Sequence, residues 1–356
     1  MRVRWALPLS LLALLASAVV SPRAAAADSP NCAPGADAIL SGGGQVRVFA
    51  MQHKQDLADD ATYASIRASL DCELTARVDP YRAADHPNLV VFNELDGLAY
   101  GTEGSRGQAV RSAGAGATFI DQTTGIAGAA AIGGVTPSYH LPFLYYANKF
   151  GPPGTDPKDT IGLFFTSITD TLVRATVENL SALARKHGVY IVFGTPLVVN
   201  EGAACTGQYA GWPACPGWHA SSDPLDIAAL QDPDLAPASS VYVADTRNVD
   251  NVALFFAPDG TLYDMQPKVN LTGIEISPLG WHQASASTIH AIGLNGADAA
   301  RYPGVRMGVG ISLDAFETTI GPTPCPAETP PGTTPNPYPQ FMQCLDSKGV
   351  NLFLQP

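Results

Sequence analysis

After residue 44 the chain alternates between short apolar runs and segments whose apolar residues recur at helical spacing, and this alternation restricts the fold most. Val46-Arg47-Val48-Phe49-Ala50-Met51 alternates and carries β-branched and aromatic residues, which predicts a strand. Tyr63, Ile66, Leu70 and Leu74 share one helical face, with Asp59 and Asp60 offering an N-cap just ahead. Leu89 to Phe92 is a short run that suits a buried strand. Val173, Val177, Leu180 and Ala184 mark a second helix face, stopped by His187 and Gly188. Val189 to Gly194 is the next strand. Val252 to Ala257, the turn Pro258-Asp259-Gly260 and Thr261 to Tyr263 read as a hairpin. Strands over Val305–Ile311 and Val350–Leu354 complete the pattern, which is α/β with a large sheet component. Residues 99–135, rich in Gly, Ala, Ser and Thr, and residues 200–240, with Tyr209, Trp212 and Trp218, read as loop insertions. Residues 321–339 are too rich in Pro and Thr for regular structure, and no internal repeat is present.

The 356 residues, 46% hydrophobic, can bury the core of one large domain or two ordinary ones. Twenty Lys+Arg against 32 Asp+Glu give a net charge of −12. An acidic surface argues against nucleic acid or anionic lipid as the main partner and suits a protein that handles small molecules. Arg2 and Arg4, an apolar run from Trp5 to Val20 and a small-residue close at Ala24–Ala27 predict a secretory leader over residues 1–27. The run is short for a spanning helix, so no stable membrane anchor is expected, and the mature chain of 28–356 is predicted to be extracellular. Six cysteines in an exported chain read as disulfides. Cys205 with Cys215, and Cys325 with Cys344, each flank a loop they can close, which leaves Cys32 with Cys72; six cysteines allow fifteen connectivities in all. No C-x-x-C occurs, and the seven histidines have no ligand spacing, so no metal or cofactor is predicted.

Three polar residues follow predicted strands: Glu94 in FNELDG, Lys268 in YDMQPKVNLT and Ser312 in GVGISLDAFE. Taken singly, a Glu or Lys there is usually solvated and a Ser is usually a turn residue. Strand ends are also where a scaffold holds reactive groups. In series, Glu, Lys and a nucleophile position resemble the Glu–Lys–Cys triad of the nitrilase (carbon–nitrogen hydrolase) superfamily. VRVFAMQ, ARKHGVYIVFGTP, VALFFAPDGTLYDMQPKVNL and LDSKGVNLFLQP resemble that family's segments in the same order, from Val46 to the last residue. The leader, the cysteines and KVNL resemble its exported vanin/biotinidase-like branch.

The resemblance implies an α-β-β-α sandwich, apparently lacking its C-terminal elements because the chain stops at Pro356, one strand after the nucleophile. It implies hydrolysis of a small amide, less readily a nitrile, without cofactor or metal, by a chain that pairs into a homodimer. Glu94 would be the general base. Lys268 and the Leu313 N–H would stabilise the oxyanion, Glu275 would be the second glutamate, and Ser312 would occupy the nucleophile position. A cysteine is partly thiolate at neutral pH, whereas a serine hydroxyl needs a strong, oriented base. Ser312 therefore also fits a non-catalytic relative that keeps its pocket for binding. An α/β-hydrolase elbow fits poorly, because Gly310-Ile311-Ser312-Leu313-Asp314 lacks the second Gly and the last His, His290, lies upstream of Ser312. A disulfide-stabilised binding protein unrelated to catalysis would place Glu94, Lys268 and Ser312 far apart. Asn270-Leu271-Thr272 matches a glycosylation acceptor by chance.

Overall fold

The computed structural model describes residues 45–54, 59–114, 138–316 and 340–356. The predicted leader, Cys32, Cys325, residues 115–135 and the Pro/Thr-rich stretch lie outside these residues. The strands are β1 (Arg47–Ala50), β2 (Asn88–Val91), β3 (Tyr190–Glu201), β4 (Ala214–Pro216), β5 (Trp218–Ser221), β6 (Val241–Ala244), β7 (Val249–Phe256), β8 (Leu262–Pro267), β9 (Met307–Val309) and β10 (Leu352–Leu354). Six of them form one sheet in the order β1-β2-β3-β7-β8, with β4 paired to the end of β3. β1, β2 and β3 run parallel, and β3, β7 and β8 run antiparallel. β9 and β10 form a separate parallel pair, and β5 and β6 an antiparallel one.

Strand periodicity sorts the core into two layers. Val90, Ile191, Phe193, Val252, Leu254 and Phe256 pack against Ile66, Leu70, Leu74, Leu180 and Leu183 of two helices. The alternate residues Leu89, Val91, Tyr190, Val192, Ala253 and Phe255 pack against Met307, Val309 and Leu354 of the β9–β10 pair. Burial on both faces explains why β2, β3 and β7 read as continuous apolar runs. Beyond β9–β10, Phe341, Cys344 and Leu345 of the helix Gln340–Ser347 close a third cluster with Val350 and Phe353.

The predicted elements form, with corrections at their edges. The first helix spans Tyr63–Arg77 and is capped by Thr62, which exchanges hydrogen bonds with Ser65; Asp59 and Asp60 instead lie in a buried 3-10 turn. The second face is a helix from Thr169 to His187 interrupted by a π turn at Arg174–Glu178, and it ends on Gly188 at φ 60°. β3 runs seven residues beyond Gly194, because β7 pairs with it as far as Val198 and β4 pairs with Val199 to Glu201. The strand predicted over Val305–Ile311 shrinks to Met307–Val309, and Ser312 opens a 3-10 turn. Both predicted loop insertions contain regular structure: Ala99–Thr102 and Gly104–Gly114 are helical, and the second carries β4, β5 and the helix Pro224–Leu230, whose N-cap is Asp223. Their low hydrophobic periodicity hid helices held by caps and tertiary contacts.

Cys205 and Cys215 are bonded, with a Cα–Cα distance of 5.8 Å. Cys72 and Cys344 are disulfide-bonded too, and their predicted partners lie outside the described residues. No helix among the described residues is long and apolar enough to cross a membrane.

Candidate active site

Glu94 stands in the turn after β2. The Phe92 N–H donates to the Val192 carbonyl (2.9 Å) and the Gly97 N–H to the Gly194 carbonyl (3.0 Å), so the turn lies directly on β3. Asp96 accepts the Asn93 N–H at 3.0 Å and closes the loop. The approach is close enough to require glycine at 194. A Cβ there would lie 2.8 Å from the Leu95 nitrogen, 2.9 Å from the Asn93 oxygen and 2.9 Å from the Glu94 Cα. These are fixed backbone atoms that cannot swing away.

Lys268 follows β8, and its backbone N–H donates to the Asn251 carbonyl of β7 at 2.8 Å. Its side chain is 0% exposed. Its Nζ lies 2.7 Å from Glu94 Oε1 and 2.9 Å from Glu275 Oε2. Asn251 Nδ2 donates to Oε1 of both glutamates, each at 2.7 Å. Glu275 Oε2 also accepts from the Thr272 N–H (2.7 Å) and hydroxyl (2.9 Å) at the start of the short helix Gly273–Ile276. One buried cation is thus held between two carboxylates, of which Glu275 has both oxygens hydrogen-bonded. A desolvated ion pair needs that degree of satisfaction to be tolerated.

Ser312 is partly buried and opens the 3-10 turn Ser312–Ala315, with Leu313 next. The turn is tied to the residues just after Lys268 through Asp314, which is 0% exposed. Asp314 accepts the N–H groups of Asn270 (2.6 Å), Val269 (3.2 Å) and Ile311 (3.3 Å). Burial pushes its carboxyl up to about 7, against the pull of those donors and of Lys268. Among the described residues, Leu95 (φ 63°) and Ser312 (φ 49°) are the only non-glycine residues with positive φ. One adjoins Glu94 and the other opens the 3-10 turn after β9. Asn270 is buried, so the glycosylation pattern it heads is not presented to solvent.

The structure therefore brings Glu94, Lys268 and Glu275 into direct contact and docks the Ser312 turn beside Lys268. Asn251 and Asp314 escaped the sequence reading. Asn251 carried a signal, a polar pair Asp250-Asn251 in an otherwise apolar strand where an unpartnered amide is costly. A second polar group also escaped it. Glu201, Asp250 and His282 each offer a ligand atom, and these atoms lie within 4.8 Å of one another. Two surface grooves of about 390 and 530 Å³, one beside Lys158 and Trp281 and the other beside Arg82 and Tyr302, include none of these residues.

No protein-family model matches the chain, and no curated protein matches it. Among solved structures it is similar to an amidase from Nesterenkonia sp., at 12% identity and TM-score 0.38, over 90% of this chain and 67% of that one. It is similar to a carbon-nitrogen hydrolase from Helicobacter pylori G27, at 11% identity and TM-score 0.36, over 87% of this chain and 59% of that one. A cysteine-to-serine mutant of a Nesterenkonia AN1 amidase from the nitrilase superfamily is matched at 12% identity and TM-score 0.28, over 61% of this chain and 56% of that one. What the site can do chemically follows from its own distances.

Proposed function

We propose that this chain is a hydrolase of non-peptide carbon–nitrogen bonds in small amides, built as a nitrilase-type α-β-β-α sandwich. The observation that carries the reading is the fully buried Lys268 ammonium held by Glu94 and Glu275 at a strand end. A cation so placed is pre-set to meet negative charge that develops on a substrate oxygen. The order of helices, main sheet, β9–β10 pair and outer helix supports the layered fold.

In this reading Glu94 takes the Ser312 hydroxyl proton as Oγ attacks the amide carbonyl carbon. Lys268 and the Leu313 N–H stabilise the oxyanion. The C–N bond breaks, Glu94 returns the proton to the departing amine, and an ester to Ser312 remains. Water, deprotonated by Glu94, cleaves the ester to the carboxylic acid and restores Ser312. Glu275 and Asn251 hold Lys268 and Glu94 in register. The positive φ at Ser312 supports a nucleophile placed on a sharp turn, because strained backbone collects at functional sites. The leader pattern and the Cys205–Cys215 bond support export.

A serine paired with a carboxylate is a slow nucleophile. The wild-type chain is expected to hydrolyse small aliphatic amides slowly, and Ser312→Cys to raise kcat by at least about tenfold, as expected for a nucleophile already partly ionised at neutral pH. Glu94→Gln should abolish turnover in both backgrounds. Release of ammonia from such amides is the readout, and its absence from both the serine and the cysteine forms would sink the proposal.

A further inference from the structure

Glu201 closes β3, Asp250 is the second residue of β7, and His282 lies in the segment after the helix Gly273–Ile276. The His282 N–H donates to the Val249 carbonyl at 2.7 Å, which anchors that segment to β7. His282 Nδ1 lies 3.0 Å from Asp250 Oδ1 and 3.8 Å from Glu201 Oε1. We propose that Glu201, Asp250 and His282 bind a divalent transition-metal cation of the zinc class.

Three observations carry this. The donor atoms come from three chain segments and lie within 4.8 Å of one another, close to the roughly 4.4 Å that two bonds to one ion can span, so a small side-chain rotation brings them to coordinating distance. The set is two carboxylates and one imidazole, with neither carboxylate ion-paired to a Lys or Arg among the described residues. An imidazole selects zinc-like ions over calcium or magnesium, which prefer oxygen alone. Third, Asp250 is 0% exposed, yet its Oδ2 has no hydrogen-bond partner among the described residues. A buried carboxylate oxygen left unpaired is costly, and a cation taken by both Asp250 oxygens removes that cost. The rim is accessible, with side-chain exposure of 35% at His282 and 23% at Glu201, so solvent can complete the coordination.

Without metal, His282 Nδ1 shares a hydrogen bond with Asp250. On binding, Nδ1 gives any proton it carries to solvent and its lone pair to the ion. The site joins β3, β7 and the segment around His282 next to Asn251, which holds both glutamates of the Lys268 nest. An ion there would pin the frame of that nest without touching it.

The test is calorimetric titration of the chelator-treated full chain with Zn²⁺, and separately with Ca²⁺. Saturable 1:1 zinc binding is expected, weakened at least about tenfold in His282→Ala and in Asp250→Asn. Co²⁺ should give a visible absorption band that His282→Ala removes. If Asp250→Asn does not fold, Glu201→Gln at the rim reads the same loss. Zinc affinity unchanged in His282→Ala, no 1:1 binding in the wild type, or calcium bound more tightly than zinc would each overturn the proposal.

Discussion

Two carboxylate pairs at the edge of the core solve the same problem differently. Around Lys268, Glu94 and Glu275 share one ammonium and one Asn251 amide. Some distance along the chain, Glu103 faces Asp232, and neither is ion-paired to a Lys or Arg among the described residues. The Tyr63 backbone N–H donates to Glu103 at 3.1 Å and the Tyr63 hydroxyl to Asp232 at 2.9 Å. There, burial and the Asp232 charge push the Glu103 carboxyl up to about 8. One cluster is neutralised by a cation and the other by a proton. Only the first sets its carboxylates against a fixed cation.

Replacing the cation should turn the first cluster into the second. Lys268→Met is expected to destabilise the chain by roughly 3 kcal/mol in urea unfolding, because the buried Glu275 and the half-buried Glu94 lose their counter-ion. The loss should be smaller at pH 5 than at pH 8, since one glutamate can then take up a proton. An equal loss at both pH values would break the comparison. At Glu103 the sign follows from a folded pKa raised from 4.5 to about 8. The stability it contributes is full below about pH 4.5 and is lost as pH rises through about 8. Wild-type stability should therefore fall by about 2 kcal/mol or more between pH 5 and pH 9, and Glu103→Gln should flatten that fall. The smallest effect is expected at Gly194→Ala. The added methyl must displace the Glu94 turn, lengthening the 2.7 Å contact to Lys268. Amide hydrolysis should drop about tenfold, about 1.4 kcal/mol of barrier, with the unfolding midpoint lowered by an overpacking cost of about 1 kcal/mol. Full activity in that variant would mean that the turn's seat on β3 is unimportant.

The sequence announced the strands and helices whose burial follows a regular period. β2, the first half of β3 and the β7–β8 hairpin are apolar enough to be read directly. It missed the second half of β3, because a strand that ends in Val-Val-Asn-Glu needs its β7 and β4 partners to be recognised. Thr62 rather than Asp59 or Asp60 caps the first helix, a choice made by which side chain reaches Ser65. Glu94, Lys268 and Ser312 were visible as polar residues near strand ends, and Glu275 only through the family resemblance. Asn251 and Asp314 were not, since their roles depend on partners 157 and 45 residues away. Glu201, Asp250 and His282 show the same limit, as no spacing in the chain foretells their meeting.

The 12-residue strand β3 also sets an order of assembly. Asn251 and Lys268 belong to one hairpin and can meet as soon as β7 and β8 pair, a contact that closes only a short loop. Glu94 reaches Lys268 across 174 residues, and only after parallel β2 has found its place on β3. Half of the site is therefore available early, as a lysine waiting beside an amide. The carboxylate that completes it arrives with one of the longest-range contacts in the molecule, so a competent site marks a chain that has finished folding.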